Sequence, residues 1–154
     1  MNIAPPHSPK LWPHWLICLA MLLLIVVYNL VCHLYPEAIR SQIDEAQRVT
    51  IRSVLYGLAI LCFPLTNLLR HIFLRLNQTM PGDTSPARRY FVTILIAQTM
   101  LASATLFGPL MFVLGDDYNT LYIYSVLGTL GIVLHRPKAA EYWSIVEALD
   151  NHQQ

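Results

Sequence analysis

The residues best able to hold a cofactor are three histidines. His14, His71 and His135 each stand near one end of a long apolar stretch, and antiparallel packing of those stretches would bring the three imidazoles to the same end of a bundle. Imidazole ligates haem iron and transition metals, and facing bundle helices commonly supply such ligands. Neither HxxxH nor HExxH occurs here to reinforce them. Interfacial histidines meeting water or lipid headgroups explain the same pattern, so no cofactor or metal is expected, and haem or metal binding stands third among the functional readings.

Other reactive side chains are sparse. Asp116 and Asp117 pair two carboxylates, but after Gly115 and before an apolar run they suit a turn and a helix cap. Ser103, Ser125 and Thr129 lack a neighbouring base and are expected to bond back to helix carbonyls. Cys18, Cys32 and Cys62 form no CxxC pair and read as small apolar residues. No catalytic residue is assigned, and the chain is not expected to be an enzyme.

The stretches that carry these residues are defined by missing charge. No Asp, Glu, Lys or Arg occurs in residues 11–36, 53–69, 90–115 or 118–135. A soluble helical bundle needs polar residues on the outer face of each helix at nearly every turn, and these runs lack them. Lipid removes the need. The fold class predicted is therefore all-α, an integral membrane four-helix bundle forming one domain over 1–154, with spans near 15–34, 53–74, 90–114 and 118–135. The lipid bilayer is the first partner implied; a net charge of +1 with scattered basic residues argues against nucleic acid. The N-terminal segment, with Lys10 before a long apolar run and no A-x-A pattern after it, reads as leading into an uncleaved first span.

Lys and Arg divide seven to three between the two sides of such a bundle. Lys10, Arg70, Arg75, Arg88, Arg89, Arg136 and Lys138 fall on one side and Arg40, Arg48 and Arg52 on the other. The positive-inside rule then puts both termini in the cytoplasm of a cell with a bacterial inner membrane. Pro36 is expected to stop the first span, and Pro64 and Gly108-Pro109 to kink the second and third. Pro81-Gly82-Asp83 reads as a turn, and Gly115 followed by Asp117 as a tight hairpin. Residues 37–52, with Ile39, Ile43, Ala46 and Val49 in helical register, read as an amphipathic helix on the outer surface or as an extension of span two. The tail at 138–150 reads as a cytoplasmic amphipathic helix whose apolar face is Ala139, Trp143, Val146 and Leu149.

Each span also carries a stripe of small or polar residues, the usual inner face of a membrane helix. Asn29 belongs to the first stripe, with Cys18 and Cys32. The second is Ser53, Gly57, Ile60, Pro64, Asn67 and His71; the third contains Gln98, Ala102 and Thr105; the fourth contains Tyr124, Gly128 and Gly131. Asn67 and Gln98 stand at matching depths and are expected to bond to each other. None of the spans holds a central ionisable residue, where an ion-coupled transporter usually has one. The function expected is that of a non-enzymatic accessory or assembly subunit of a membrane complex, with a protein partner or homo-oligomer in the membrane. The alternative is a subunit of a small oligomeric transporter or channel.

Overall fold

The computed structural model describes residues 11–41, 43–80 and 84–152. The segment around Lys10, the Pro81-Gly82-Asp83 turn and the extreme C-terminus lie outside them. Seven helices occur among the described residues, α1 (Trp12–Leu34), α2 (Pro36–Ile39), α3 (Glu45–Thr79), α4 (Pro86–Thr105), α5 (Phe107–Val113), α6 (Tyr118–Leu134) and α7 (Ala139–His152). No strand occurs among the described residues, and the class is all-α. Among the described residues, three segments are long and apolar enough to cross a membrane: α1, α3 and the continuous path of α4 and α5. The fourth apolar helix, α6, has 17 residues and a length of about 25 Å.

Helix ends follow from local chemistry. Pro36 cannot donate to Leu34's preceding turn, so α1 stops at Tyr35 and the proline starts α2. Asp44 caps α3 by accepting the Ala46 N–H at 3.1 Å. The break at Leu106, between α4 and α5, lies where Pro109 removes the bond that Thr105 would accept. Gly115, at φ 90°, closes the hairpin before Asp117 caps α6 by accepting the Thr120 N–H at 3.1 Å.

In the bundle α4 is the central element, packing on α1, α3, α6 and α7, whereas α1 leans on α4 and α6. Half of the apolar stretch of α4 and α5 is buried, against 22% for α1 and 17% for α3. What α1 and α3 expose is hydrocarbon, including Leu19, Leu23, Val26 and Leu30 on α1 and Val54, Leu58, Leu61 and Leu65 on α3. An exposed apolar surface of this extent is a lipid or protein contact, because water would penalise it at about 25 cal/mol per Å².

The segment over 37–52, expected as a surface amphipathic helix or as an extension of span two, takes the second form from Glu45 onward. It divides into α2 and the first turns of α3, and Ala46 and Val49 are exposed. Arg48 and Arg52 turn inward in their place, drawn by Asp116 of the hairpin. A similar rotation affects α7. Its inner face is Tyr142, Ile145 and Leu149, packed with Ile17, Tyr90 and Ile94, whereas Ala139 is exposed and Trp143 and Val146 are only partly covered. The cause is an ion pair that fixes the first turn of α7, described next.

Candidate functional site

Two polar centres stand at opposite ends of the bundle. At the hairpin end, Asp116 is almost fully buried and accepts Arg52 Nη1 at 3.0 Å, with Arg48 Nε at 4.0 Å. Arg40 donates to the Gly115 and Asp116 carbonyls at 3.0 and 2.9 Å, and Arg48 Nη1 reaches the Gly115 carbonyl at 3.3 Å. Three arginines thus collect two hairpin carbonyls just beyond the C-terminus of α5 and one carboxylate, a favourable placing of positive charge at the negative end of a helix. Asp116 was expected to serve only an exposed turn. Here it is the buried anchor that holds the start of α3 against the hairpin. Asp117 remains at the surface, and the Thr120 N–H that it accepts holds its carboxyl below the usual carboxylate range.

At the other end the centre is Arg70, whose side chain is 5% exposed. Its Nη1 donates to the His135 carbonyl at 2.5 Å, and its Nη2 to the Arg136 carbonyl at 3.0 Å and Glu141 Oε2 at 2.7 Å. Tyr90 meets the same carboxylate at 3.1 Å, and its oxygen accepts the Lys138 N–H at 2.7 Å. One guanidinium therefore ties α3 to the end of α6 and the start of α7. Gln98, fully buried, adds two bonds from Nε2 to the Ile132 and His135 carbonyls, at 3.2 and 3.1 Å. Arg89 folds the end of α3 onto α4, donating to the Asn77 and Met80 carbonyls at 3.1 and 2.7 Å.

Beside Arg70 a cleft of about 340 Å³ opens between α3, the end of α6 and the start of α7. His71 and His135 line it together with Asn67, Lys138 and Glu141. His14 does not join them. It is buried against Tyr90 and Phe91, with ring centroids 5.1 and 5.7 Å away. His135 turns Nδ1 back to the Gly131 carbonyl at 3.0 Å. Among the described residues, no group of three or more His, Cys, Asp or Glu is placed to hold a metal ion. The expected convergence of three imidazoles is therefore corrected to a pair beside an arginine and a lysine.

The packing residues separate in the same way. Asn29 crosses from α1 to α6, donating to Ser125 Oγ at 2.8 Å while Ser125 bonds back to the Leu121 carbonyl. Gly128 and Gly131 lie where α6 meets its neighbours. A Cβ on Gly128 would overlap the Thr105 side chain, and one on Gly131 would stand 2.9 Å from Leu101 Cδ2. The stripe assigned to the second span faces the other way. Ser53, Gly57, Ile60, Pro64, Asn67 and His71 are all exposed, and a Cβ on Gly57 would meet nothing within 4 Å. The inner face of α3 is Leu55, Ala59, Thr66 and Arg70, so Asn67 cannot reach Gln98 and the expected bond between them is absent. Leu55, Ala59, Thr66 and Arg70 took the place that small size had suggested for Gly57 and Pro64, because the buried ion pair with Glu141 fixes the rotation of the helix.

Sequence reasoning missed Arg70, Glu141, Tyr90 and Asp116 as organising residues. The available signal was position: Arg70 is the first charge after an apolar run, and Glu141 the first carboxylate of the tail. No family model, curated protein or solved structure matches the chain, so its site is read from these contacts.

Proposed function

We propose that this chain is a multi-pass protein of the bacterial inner membrane, with both termini cytoplasmic, and that it acts by association as a non-enzymatic accessory or assembly subunit of a larger membrane complex. The single observation that carries the reading is the outward stripe of α3. Ser53, Gly57 and Pro64 are exposed there among leucines and isoleucines. Small residues on a lipid-facing helix admit close approach by another helix, which large aliphatic side chains prevent. Pro64 strengthens the argument, since it removes the N–H that the Ile60 carbonyl would otherwise accept on that exposed face. In hydrocarbon such a carbonyl is stabilised by a donor from a neighbour.

The division of basic residues supports the orientation, with Arg70, Arg75, Arg88, Arg89, Arg136 and Lys138 at the end where α7 docks. Purification of the tagged chain in mild detergent tests the role. The expected result is a stable heteromeric partner that is lost from Gly57→Leu protein of unchanged thermal stability. A pure homo-oligomer that conducts ions or solutes in vesicles would overturn it in favour of a small transporter or channel.

A further inference from the structure

The cleft beside Arg70 holds more positive charge than its protein contacts neutralise. We propose that it binds a phosphate-bearing anion, supplied either by a phospholipid headgroup or by free phosphate. The lipid source rests on the membrane reading above; the cleft's chemistry does not. Arg70 forms the floor, its guanidinium almost wholly removed from solvent and its Nε–H without an acceptor among the described residues. A guanidinium does not deprotonate, so the charge is permanent, and burial leaves its field poorly screened.

At the mouth, Lys138 is 56% exposed and its Nζ is 3.9 Å from Glu141 Oε1, a loose contact that leaves its donors free to turn toward an anion. His71 and Asn67 add exposed ring and amide donors from α3, one on each side of the arginine along the chain. Glu141, the one carboxylate lining the cleft among the described residues, is already held by Arg70 and Tyr90 at 2.7 and 3.1 Å. Two fixed cations therefore face one occupied anion.

The walls favour a lipid as the source. Leu74 and Leu134 line the cleft, and Leu134 is 66% exposed, so an acyl chain leaving the headgroup would run along hydrocarbon. Trp12 and Trp15 stand exposed at this same end of the bundle, where α1 begins beside Tyr90 and Ile145. Such rings favour the headgroup level. Basic pockets between membrane helices on the cytoplasmic side are a recurring form of anionic headgroup site.

The experiment is thermal unfolding of the full chain in a nonionic detergent with phosphatidylglycerol, phosphatidylcholine or inorganic phosphate added at matched ionic strength. Arg70 anchors α7, so the informative variant is the double substitution Lys138→Gln with His71→Gln, two exposed side chains that hold no helix in place. Phosphatidylglycerol is expected to raise the midpoint more than phosphatidylcholine, and the double variant to weaken the apparent affinity about tenfold or more, the worth of a lost charge-assisted contact. A response to inorganic phosphate that the variant abolishes, with the two lipids equal, assigns the site to free phosphate. If neither phosphatidylglycerol nor phosphate shows a response that the variant diminishes, the proposal is wrong. The phosphate arm needs no bilayer, and reporter fusions judge the membrane reading separately, so the two failures are distinguishable.

Discussion

Gly128 and Gly57 are both helical glycines in apolar stretches, yet their surroundings predict opposite responses to one substitution. A Cβ on Gly128 would overlap Thr105 Cγ2 and stand 2.9 Å from Thr105 Cβ. Thr105 is buried and its hydroxyl bonds back to the Ala102 carbonyl, so it has little freedom to yield. Gly128→Ala should therefore destabilise the bundle by about 1 to 3 kcal/mol, the range for overpacking a dense core, and Gly128→Leu by more. Gly57→Leu should leave the midpoint of thermal unfolding of the isolated protein unchanged. Equal midpoints for Gly128→Ala and the unsubstituted chain would refute the close approach of α4 and α6. Asp117 gives a residue-scale prediction with a sign in pH. Its carboxyl is lowered in the folded state, so the cap contributes fully above the unfolded value of about 3.9 and is lost as pH falls through the lower folded value. Asp117→Ala should cost about 1 kcal/mol at neutral pH, and the difference from the unsubstituted chain should vanish in acid, as measured by unfolding at several pH values.

At the scale of elements, the same ion pair sets the rotation of α3 and the docking of α7. Glu141→Ala would leave Arg70 buried beside the end of α6 without its carboxylate. Because the Glu141 side chain is 20% exposed, the loss is expected at ~1 to 3 kcal/mol, below the cost of a fully buried pair. It should release α7, which trypsin would report as faster cleavage after Lys138; an unchanged cleavage rate would show that Ile145 and Tyr142 hold the tail without the carboxylate. This pair also marks the limit of what the sequence discloses. Charge-free runs and prolines locate α1, α4 with α5, and α6 to within a few residues, because helix ends and lipid solubility are local properties, whereas α3 runs from Glu45 to Thr79, beyond both ends of the apolar stretch at 53–74. The hairpin is legible for the same reason, from Gly115 and Asp117. Rotation about a helix axis is not local. On α3 the small residues Gly57 and Pro64 compete with Ala59 and Thr66 for the inner face, and the choice depends on Glu141, which is 71 positions beyond its partner Arg70 in the sequence. Non-local pairing likewise hid the inward turn of Arg48 and Arg52 toward Asp116 at the hairpin and, at the opposite end, the cleft in which His71 and His135 meet without His14.

For the whole molecule, the helices alternate in direction, so α1 and α4 begin, and α3 and α6 end, at the side where α7 docks. The opposite side carries the hairpin and the Arg40, Arg48 and Arg52 cluster. These three arginines are the main argument against the proposed orientation, yet each is committed to a hairpin carbonyl or to Asp116. Charges held that way act less as free topogenic signals than those on the other side, where Arg75, Arg88 and Arg136 are exposed. Reporters fused after Gln78 and at Gln154 should therefore read cytoplasmic, and one between Ser41 and Gln47 external. The α6 helix is the sensitive element, since about 25 Å is less than the ~30 Å of hydrocarbon in a typical bilayer and demands local thinning or a contribution from Asp117 and His135 at its ends. A chain that crosses only three times would separate the Gln78 and Gln154 reporters, the second turning external while the first stays inside. That outcome would put α7 across the membrane from Arg70, against the 2.7 Å bond between Arg70 and Glu141. The ion pair and the fourth crossing therefore stand or fall together, and cross-linking cysteines placed at Asn67 and Lys138 would report the pair in the same membranes in which the reporters are read.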